Sequence, residues 1–284
     1  MKLVRFGDMG SERPGVYIPD DGILDTSSIT DNYNSDFFEN DGLARLRAWL
    51  EDNQATAPRI SSSVRLGAPI SRPGKILCIG RNYQEHAAEM NSDVPSEPLV
   101  FNKASTALTG PYDQVEIPRE SNKTDWEIEL AVIIGKKAKY VEEQNALDYI
   151  VGYSILNDVS ERAFQKERSG QWCKGKSHDT FAPLGPFLVT ADEISDPQNL
   201  NLLLDLNGET MQRGNTCNMI FSVRYLIAYL SQFMTLMPGD VIGTGTPPGV
   251  GAGRTPPRFL QAGDSMRLLI EGLGEQRLHV VASS

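Results

Sequence analysis

Two glutamates interrupt a segment that otherwise has the composition of a buried strand. The segment, residues 126–135, ends in a run of apolar and partly β-branched residues, which is typical of a core strand. Side chains two apart on a strand point to the same face, so Glu127 and Glu129 project together. Two carboxylates this close repel each other, and a bound cation relieves the repulsion. The pattern predicts either a metal site or a glutamate pair on a half-solvated edge strand.

A second apolar segment offers a third carboxylate. Residues 149–156 have strand composition and are followed directly by Asn157 and Asp158. If this strand pairs near the first one, Asp158 joins Glu127 and Glu129. Three oxygen ligands with open positions suit Mg²⁺ or Mn²⁺ better than Zn²⁺.

Composition narrows the possible partners. The chain has 284 residues, 40% of them hydrophobic and 23% charged, which is typical of a globular protein. Its net charge of −10 argues against nucleic acid and against an anionic membrane surface. An anionic substrate remains possible because a bound metal inverts the local field. The three cysteines form no CxxC pair, and no signal peptide or apolar span is evident; we expect a cytoplasmic protein.

The chain divides by pattern into a small N-terminal domain, residues 1–68, and a larger catalytic domain, residues 69–284. Strands are predicted over 3–6 and 15–18, and a helix over 42–52. The larger part contains many short strands separated by Gly and Pro turns. Since strands and helices do not alternate regularly, a doubly wound sheet is disfavoured. We predict an α+β, β-rich fold.

Few segments of the larger part have helical patterns. Helices are predicted over 82–90, around 147–149 and over 222–234. The last segment places apolar side chains at helical spacing, and we interpret them as core packing. These side chains are Val223, Leu226, Ile227, Leu230 and Phe233.

Three further segments contain residues suited to chemistry. His86 and Glu89 lie three apart and would share a helix face, where a carboxylate orients an imidazole as a general base requires. The alternative is a solvated surface pair. Residues 243–251 are rich in Gly, Thr and Pro and form either a carboxylate-binding loop or a rigid turn. Residues 171–181 are predicted as a loop, in which Lys176 either faces a substrate oxyanion or lies on an exposed basic turn.

Seven collinear motifs resemble the fumarylacetoacetate hydrolase family. They are IGRNYQEHAAEM (79–90), PLVFNKASTALTG (98–110), DWEIELAVIIGK (125–136), GYSILNDVSERAFQ (152–165), GKSHDTFAPLGP (175–186), NGETMQRGNTCNMIFS (207–222) and GDVIGTGTPPGVG (239–251). The resemblance covers residues 73–284. The N-terminal unit and the stretch GQWCKGKSHDTFAPLGP resemble a bacterial branch that is often labelled ureidoglycolate lyase. That branch includes 2,4-diketo-3-deoxy sugar-acid hydrolases.

The resemblance implies a mixed β-roll catalytic domain, a homodimer and a set of residue roles. Glu127, Glu129 and Asp158 match the family's metal ligands. His86 and Glu89 match its water-activating dyad, and Lys176 matches the lysine that stabilises developing negative charge. Five further residues match the substrate pocket: Arg81, Tyr83, Lys103, Gln165 and Thr246. His178 departs from the phenylalanine of close relatives, and we expect it to influence substrate preference.

The resemblance implies a Mg²⁺- or Mn²⁺-dependent hydrolase that cleaves a carbon–carbon bond of a 2,4-diketo acid. The substrate would be a small anionic oxo acid, either an acylpyruvate or a sugar-acid catabolite, and the products would be pyruvate and a carboxylic acid. Alternatives within the family are an oxaloacetate decarboxylase and an isomerase or hydratase of unsaturated 2-oxo acids. A remote alternative is a non-enzymatic metal-binding protein.

Overall fold

The computed structural model describes residues 1–61, 63–90 and 92–283. The strands are β1 (Lys2–Phe6), β2 (Arg13–Ile18), β3 (Gly22–Asp25), β4 (Arg59–Ile60), β5 (Leu66–Gly67), β6 (Ile76–Gly80), β7 (Leu99–Lys103), β8 (Leu108–Thr109), β9 (Gln114–Ile117), β10 (Thr124–Asp125), β11 (Ile128–Ile134), β12 (Ile150–Asn157), β13 (Ser160–Glu161), β14 (Ala182–Thr190), β15 (Asn201–Leu206), β16 (Glu209–Asn215), β17 (Val241–Gly243), β18 (Ser265–Ile270) and β19 (Gly274–Ala282). The helices are α1 (Ser35–Glu39), α2 (Gly42–Asn53), α3 (Gln84–Glu89), α4 (Arg162–Lys166), α5 (Cys173–Lys176) and α6 (Val223–Phe233).

Strands β11 and β12 form the centre of the molecule because apolar side chains occupy both of their faces. Every residue of each strand is buried, as is typical of strands covered on both sides. They pair antiparallel, with Ala131 opposite Ser154. The large sheet continues on either side in the order β4-β3-β2-β1-β14-β12-β11-β17-β6-β7. Most neighbours are antiparallel, and β17 and β6 run parallel.

A second sheet, in the order β16-β15-β18-β19-β9, packs against β11, β12 and β14. One buried amide links the two sheets: Gln276 Nε2 donates to the carbonyl oxygens of Ile155 and Pro183 at 2.8 and 3.1 Å. This mixed, sheet-rich architecture confirms the predicted α+β class and excludes a regular doubly wound sheet.

The N-terminal strands were predicted to form a separate small domain. In the structure β1 pairs antiparallel with β14, with Leu3 opposite Leu188, so the N-terminal strands extend the large sheet. The predicted strands over 3–6 and 15–18 correspond to β1 and β2. The boundary at residue 68 stays a prediction.

The predicted helices form with small changes at their ends. The segments 42–52, 82–90 and 222–234 become α2, α3 and α6, and a 3₁₀ helix covers Glu143–Tyr149. The loop predicted over 171–181 contains the short helix α5.

The predicted apolar stripe of α6 is buried except at its last member. Phe233 is 63% exposed, so its assignment to the core was wrong. It is the last residue of α6 and packs edge-on against Tyr229, four residues earlier, as i,i+4 side chains do. No helix in the described part of the chain is long and apolar enough to cross a membrane.

Candidate active site

The buried carboxylate of Glu127 lies between two cations. It stands just before β11, and its Oε2 accepts a hydrogen bond from Lys176 Nζ at 2.8 Å. Its Oε1 lies 2.6 Å from Arg162 Nη2. Burial by itself would raise the pKa of the Glu127 carboxyl, but Arg162 and Lys176 outweigh burial and hold that pKa well below its usual range. These two cations therefore favour the negatively charged form of Glu127.

Glu129 is the least compensated carboxylate of this group. It is 1% exposed, and its Oε2 has no hydrogen-bond partner among the described residues. Burial, followed by the nearby Asp158 and Glu127 carboxylates, raises the pKa of Glu129 well above its usual range. A side chain on Gly243 would place its Cβ 2.4 Å from Glu129 Oε2. The glycine on β17 therefore leaves the room that this carboxylate occupies.

Asp158 follows β12 and accepts hydrogen bonds from two buried lysines. Its Oδ2 accepts from Lys176 Nζ at 2.6 Å, and its Oδ1 accepts from Lys103 Nζ at 2.5 Å. Lys103 also donates to the Val159 carbonyl oxygen at 3.0 Å. Antiparallel pairing places Ile128 opposite Asn157, which brings the ends of β11 and β12 together and puts Asp158 beside the two glutamates.

The donor atoms fit a hard divalent cation. One oxygen each from Glu129 and Asp158 and the Sγ of Cys78 lie within 4.8 Å of one another. Burial, with the Asp158 and Glu129 carboxylates, raises the pKa of the Cys78 thiol well above its usual range, and a protonated thiol is a poor metal ligand. The unpartnered oxygen of Glu129 and the carboxylate of Asp158 are the oxygen donors that Mg²⁺ and Mn²⁺ prefer.

Lys176, the last residue of α5, is 1% exposed and lies beside the carboxylates. Burial alone would lower the pKa of its ammonium, but the Asp158 and Glu127 carboxylates raise it above its usual range. The group therefore stays charged and acts as a hydrogen-bond donor. Its Nζ also lies 4.8 Å from the centre of the Phe101 ring, within the range of a cation–π contact.

The predicted His86–Glu89 pair forms as an oriented dyad and not as a solvated surface pair. His86 is 6% exposed, and its Nδ1 lies 2.8 Å from Glu89 Oε1. Since a carboxylate accepts, Nδ1 carries the proton and Nε2 is left as an acceptor. Glu89 Oε2 accepts from the backbone N–H of Gly249 at 2.8 Å.

The glycine-rich loop around residues 249–253 supports both sides of the site. Besides the bond from Gly249 to Glu89, the N–H groups of Gly251 and Ala252 donate to Asp125 at 2.7 and 3.0 Å. Asp125 in turn pairs with Arg162 at 2.8 Å, the cation that contacts Glu127. Sequence reasoning missed Asp125 and Arg162. The sequence contains one signal for this ion pair, because Asp125 lies two positions before Glu127 and so on the same side of the strand.

Five of the side chains described above line one cleft, namely His86, Glu127, Glu129, Arg162 and Lys176. It has a volume of about 450 Å³, open mouth included. Its lining residues are Ile79, Gly80, Arg81, His86, Met90, Ser92, Phe101, Glu127, Glu129, Arg162, Gln165, Lys166, Trp172, Lys176 and Thr246. The structure thus brings the predicted dyad, both glutamates and Lys176 together.

The predicted substrate-pocket residues fall into two groups. Arg81, Gln165 and Thr246 line the cleft, whereas Tyr83 and Lys103 do not. Tyr83 is buried and its hydroxyl has no partner in the described part of the chain, and Lys103 is bound to Asp158. Thr246 Oγ1 donates to the Ile128 carbonyl oxygen at 2.8 Å.

His178 is also outside the lining. Its Nδ1 donates to the Asp179 carbonyl oxygen at 3.0 Å. His178 thus does not line the cleft that the described residues form, and its influence on substrate preference stays a prediction.

Comparison with known proteins agrees with this geometry. Residues 75–281 match the model for the fumarylacetoacetate (FAA) hydrolase C-terminal domain. The chain belongs to the fumarylacetoacetate hydrolase family. A protein from Burkholderia lata that carries a provisional hydrolase name is 53% identical over 280 residues, which cover 98% of each chain. These two matches establish the family, and neither of them points to the branch that includes the sugar-acid hydrolases.

Solved structures of the family have the same fold over the whole chain. Fumarylacetoacetate hydrolase from Exiguobacterium antarcticum is 38% identical with a TM-score of 0.87, and each chain is covered completely. Maleylpyruvate hydrolase from Sphingobium sp. SYK-6, solved with manganese(II) and pyruvate, is 32% identical with a TM-score of 0.84 and complete coverage of both. A 5-carboxymethyl-2-hydroxymuconate delta-isomerase from Mycobacterium smegmatis is 32% identical with a TM-score of 0.78, again over both whole chains. The family context therefore supports a hydrolase or isomerase.

Proposed function

We propose that this chain is a divalent-metal-dependent hydrolase that cleaves a carbon–carbon bond of a 2,4-diketo acid, releasing pyruvate and a carboxylic acid. The observation that carries the proposal is the convergence of buried carboxylates, the Lys176 ammonium and the His86–Glu89 dyad on one cleft. The neighbouring maleylpyruvate hydrolase, solved with manganese(II) and pyruvate, supports the same class of reaction.

Glu127, Glu129 and Asp158 would hold a Mg²⁺ or Mn²⁺ ion, which supplies Lewis-acid polarisation of the 2-oxo acid. The burial of Glu129 favours this role, because a buried carboxylate oxygen without a partner is unfavourable unless a cation binds it. The unpartnered Oε2 of Glu129 is the clearest sign of a missing positive partner in the described residues.

The dyad supplies the nucleophile. His86 Nε2, left as an acceptor by the Nδ1–Glu89 bond, takes a proton from water, and the water oxygen bonds to the C4 carbonyl carbon. Lys176 donates to the oxyanion that forms there. The C3–C4 bond then breaks, and its electron pair passes to C3, which takes the proton that His86 accepted from the water and so becomes the methyl group of pyruvate. The water oxygen remains in the released carboxylic acid, so atoms and charge balance.

Pyruvate release from a panel of acylpyruvates tests the proposal. The purified chain is treated with EDTA, and pyruvate is measured with no addition, with Mg²⁺ and with Mn²⁺. We expect turnover only with a cation, and loss of turnover in Glu129→Gln. Pyruvate release by EDTA-treated protein to which no cation has been added would contradict the proposal. So would the absence of pyruvate release from every diketo acid under every condition.

A second candidate is isomerisation of an unsaturated 2-oxo acid, favoured by the structural similarity to the Mycobacterium smegmatis isomerase. An isomerase changes the ultraviolet spectrum of such a substrate without releasing pyruvate. Oxaloacetate decarboxylation is separated by the dyad, because that reaction needs no activated water. His86→Ala should retain a decarboxylase activity and lose a hydrolase activity.

A further inference from the structure

Strand β11 loses its partner strand near the end that carries the two glutamates. β17 pairs with β11 only as far as Gly243, which lies opposite Ala131. Ile128, between the two glutamates, stands three residues before Ala131 and is buried. A buried backbone N–H or C=O group without a partner is unfavourable, so the backbone of Ile128 needs partners from outside β17.

Two side chains supply these partners. Gln212 Oε1, from β16 of the second sheet, accepts from the N–H of Ile128 at 3.0 Å. Thr246 Oγ1 donates to the carbonyl oxygen of Ile128 at 2.8 Å. In the same way, Thr244 Oγ1 donates to the Leu130 carbonyl oxygen at 2.9 Å. Side chains therefore continue the pairing of β11 beyond the end of β17.

The amide of Gln212 can take only one orientation. Its Nε2 donates to Thr246 Oγ1 and to the Pro247 carbonyl oxygen, both at 2.8 Å. Exchanging the oxygen and nitrogen of the amide would set its Nε2 against the N–H of Ile128 and its Oε1 against the Pro247 carbonyl. Because Thr246 accepts from Gln212, its single hydroxyl proton goes to the carbonyl of Ile128.

Glycines allow the second sheet to approach the site this closely. A Cβ on Gly214, two residues after Gln212 on β16, would lie 2.5 Å from Pro247 Cβ. A Cβ on Gly249 would lie 2.0 Å from the Met211 carbonyl oxygen. A glycine in a strand is typical of such a close approach. Gln212 is fully buried, so water does not compete for its hydrogen bonds.

The backbone of Ile128 is shared with both glutamates. Its N–H belongs to the peptide plane that joins it to Glu127, and its C=O belongs to the plane that joins it to Glu129. Gln212 therefore fixes the plane next to one proposed metal ligand, and Thr246 fixes the plane next to the other. Fixing these planes also fixes the directions in which the two carboxylates leave the strand.

We propose that Gln212 is a positioning residue for the metal centre and that it acts together with Thr246. The pair holds Glu127 and Glu129 in the directions from which both reach one divalent cation. Thr246 thus supports the ligands and does not donate to the substrate. This inference rests on the proposed function, which places the cation at Glu127, Glu129 and Asp158. Hydrogen bonds that orient metal ligands typically change metal affinity by about 10- to 100-fold.

Mn²⁺ binding in the absence of substrate tests the proposal. The electron paramagnetic resonance signal of free Mn²⁺ gives the Kd for EDTA-treated, desalted protein. The wild type is compared with Gln212→Met, Thr246→Val, Thr246→Ser and the double variant of Gln212→Met and Thr246→Val. Gln276→Met is the matched control, because Gln276 is also a fully buried glutamine of the second sheet. It donates to the large sheet at Ile155 and Pro183 and not beside the glutamates.

We expect Gln212→Met and Thr246→Val each to raise the Kd for Mn²⁺ by about 10- to 100-fold. Thr246→Ser keeps the hydroxyl and should bind Mn²⁺ as the wild type does. The double variant should bind little more weakly than either single variant, because both residues act on the same stretch of backbone. Gln276→Met should keep the wild-type Kd, although its thermal unfolding temperature should fall as that of Gln212→Met does.

Kinetics at saturating Mn²⁺ separate support of the metal from contact with the substrate. Once Mn²⁺ fills the site, Gln212→Met and Thr246→Val should recover most of the wild-type kcat. The KM for an acylpyruvate should be unchanged in both, since neither residue anchors the substrate.

Three results would overturn the inference. They are a wild-type Kd for Mn²⁺ in Gln212→Met, an equal loss of affinity in Gln212→Met and Gln276→Met, or a higher KM in Thr246→Val at saturating Mn²⁺. If Gln212→Met does not fold, a wild-type Kd in Thr246→Val overturns the inference instead. In each case the wild type still binds Mn²⁺ and releases pyruvate, so the proposed function stands. A wild type that binds no Mn²⁺ would contradict the proposed function itself.

Discussion

The floor and the rim of the cleft are built in opposite ways. On the floor, the carboxylates and ammonium groups are buried, and most are held by two partners, as Asp158 is by Lys103 and Lys176. On the rim, Arg81 and Lys166 are without partners in the described chain and reach solvent. A charge fixed before the substrate arrives can stabilise a transition state without reorganising. A charge without a partner stays available to a ligand.

The difference also has consequences for stability. Removing one member of a buried ion pair leaves the other member uncompensated, which is strongly destabilising. An exposed cation has no such dependent partner, so its removal should leave folding almost unchanged. Floor variants should therefore change catalysis and stability together, and rim variants should change substrate affinity alone.

The largest effect is expected at Glu129. Glu129→Gln should reduce metal-dependent turnover below detection, because the amide removes one negatively charged oxygen donor from the set formed by Glu127, Glu129 and Asp158. The same change should raise the free energy of unfolding when no cation is added, since it relieves repulsion with Asp158 and Glu127. Steady-state kinetics measure the turnover, and thermal unfolding with and without Mn²⁺ measures the stability. Glu142→Gln, at an exposed carboxylate, is the control, and a Mn²⁺-induced stabilisation retained in Glu129→Gln would contradict the assignment.

The next effect is expected at the dyad. His86→Ala should lower hydrolysis by about 10²- to 10⁴-fold, the contribution of a positioned general base. Stabilisation by Mn²⁺ should hardly change, because the hydrogen bond of His86 is to Glu89 and not to the proposed ligands Glu127, Glu129 and Asp158. Steady-state kinetics and Mn²⁺-dependent unfolding are measured on the same sample. A variant that loses Mn²⁺ binding would place His86 among the ligands instead.

Lys176→Met separates catalysis from anchoring. Loss of the donor should lower kcat and kcat/KM together by about 10²- to 10³-fold, as for an oxyanion-hole group. Because Glu127 and Asp158 lose a buried partner, the free energy of unfolding should fall by about 3–5 kcal/mol. Denaturant unfolding and kinetics test both parts. A rise in KM alone would recast Lys176 as a substrate anchor.

The smallest effect is expected on the rim. Trp172 packs edge-on against Phe101, with ring centres 5.3 Å apart. Trp172→Leu should lower kcat/KM by about 2- to 10-fold, the value of one aromatic contact, and should do so through KM. A large fall in kcat would show that the rim also takes part in catalysis, and the contrast between floor and rim would fail.

The sequence predicted those parts of the site that depend on local spacing. The i,i+2 glutamates, the His86–Glu89 pair and the main strands follow from periodicity within one element, and the family motifs identified Lys176. Cys78 and Gly243 were not predicted as neighbours of Glu129. They meet it through the β6–β17 and β17–β11 pairings, and strand register over such separations is set by the whole sheet.

Nor could the sequence predict which lysine and arginine side chains pair with carboxylates of the protein. Lys103 matched the substrate pocket by resemblance, but in the structure it contacts Asp158 and Val159. Whether a lysine faces a carboxylate of its own chain or a cleft depends on tertiary packing, which a motif does not record. The same holds for the contrast between Arg162 and Lys166, four residues apart on α4.

The loop of residues 249–253 limits how this site can be transplanted. Its amides hold Glu89 on one side and, through Asp125 and Arg162, Glu127 on the other. A designer who copied only the side chains of the cleft into a new scaffold would leave both halves without their common anchor. The smallest portable unit therefore contains β10 with the residues that lead into β11, the short helices α3 and α4, and this loop, moved together.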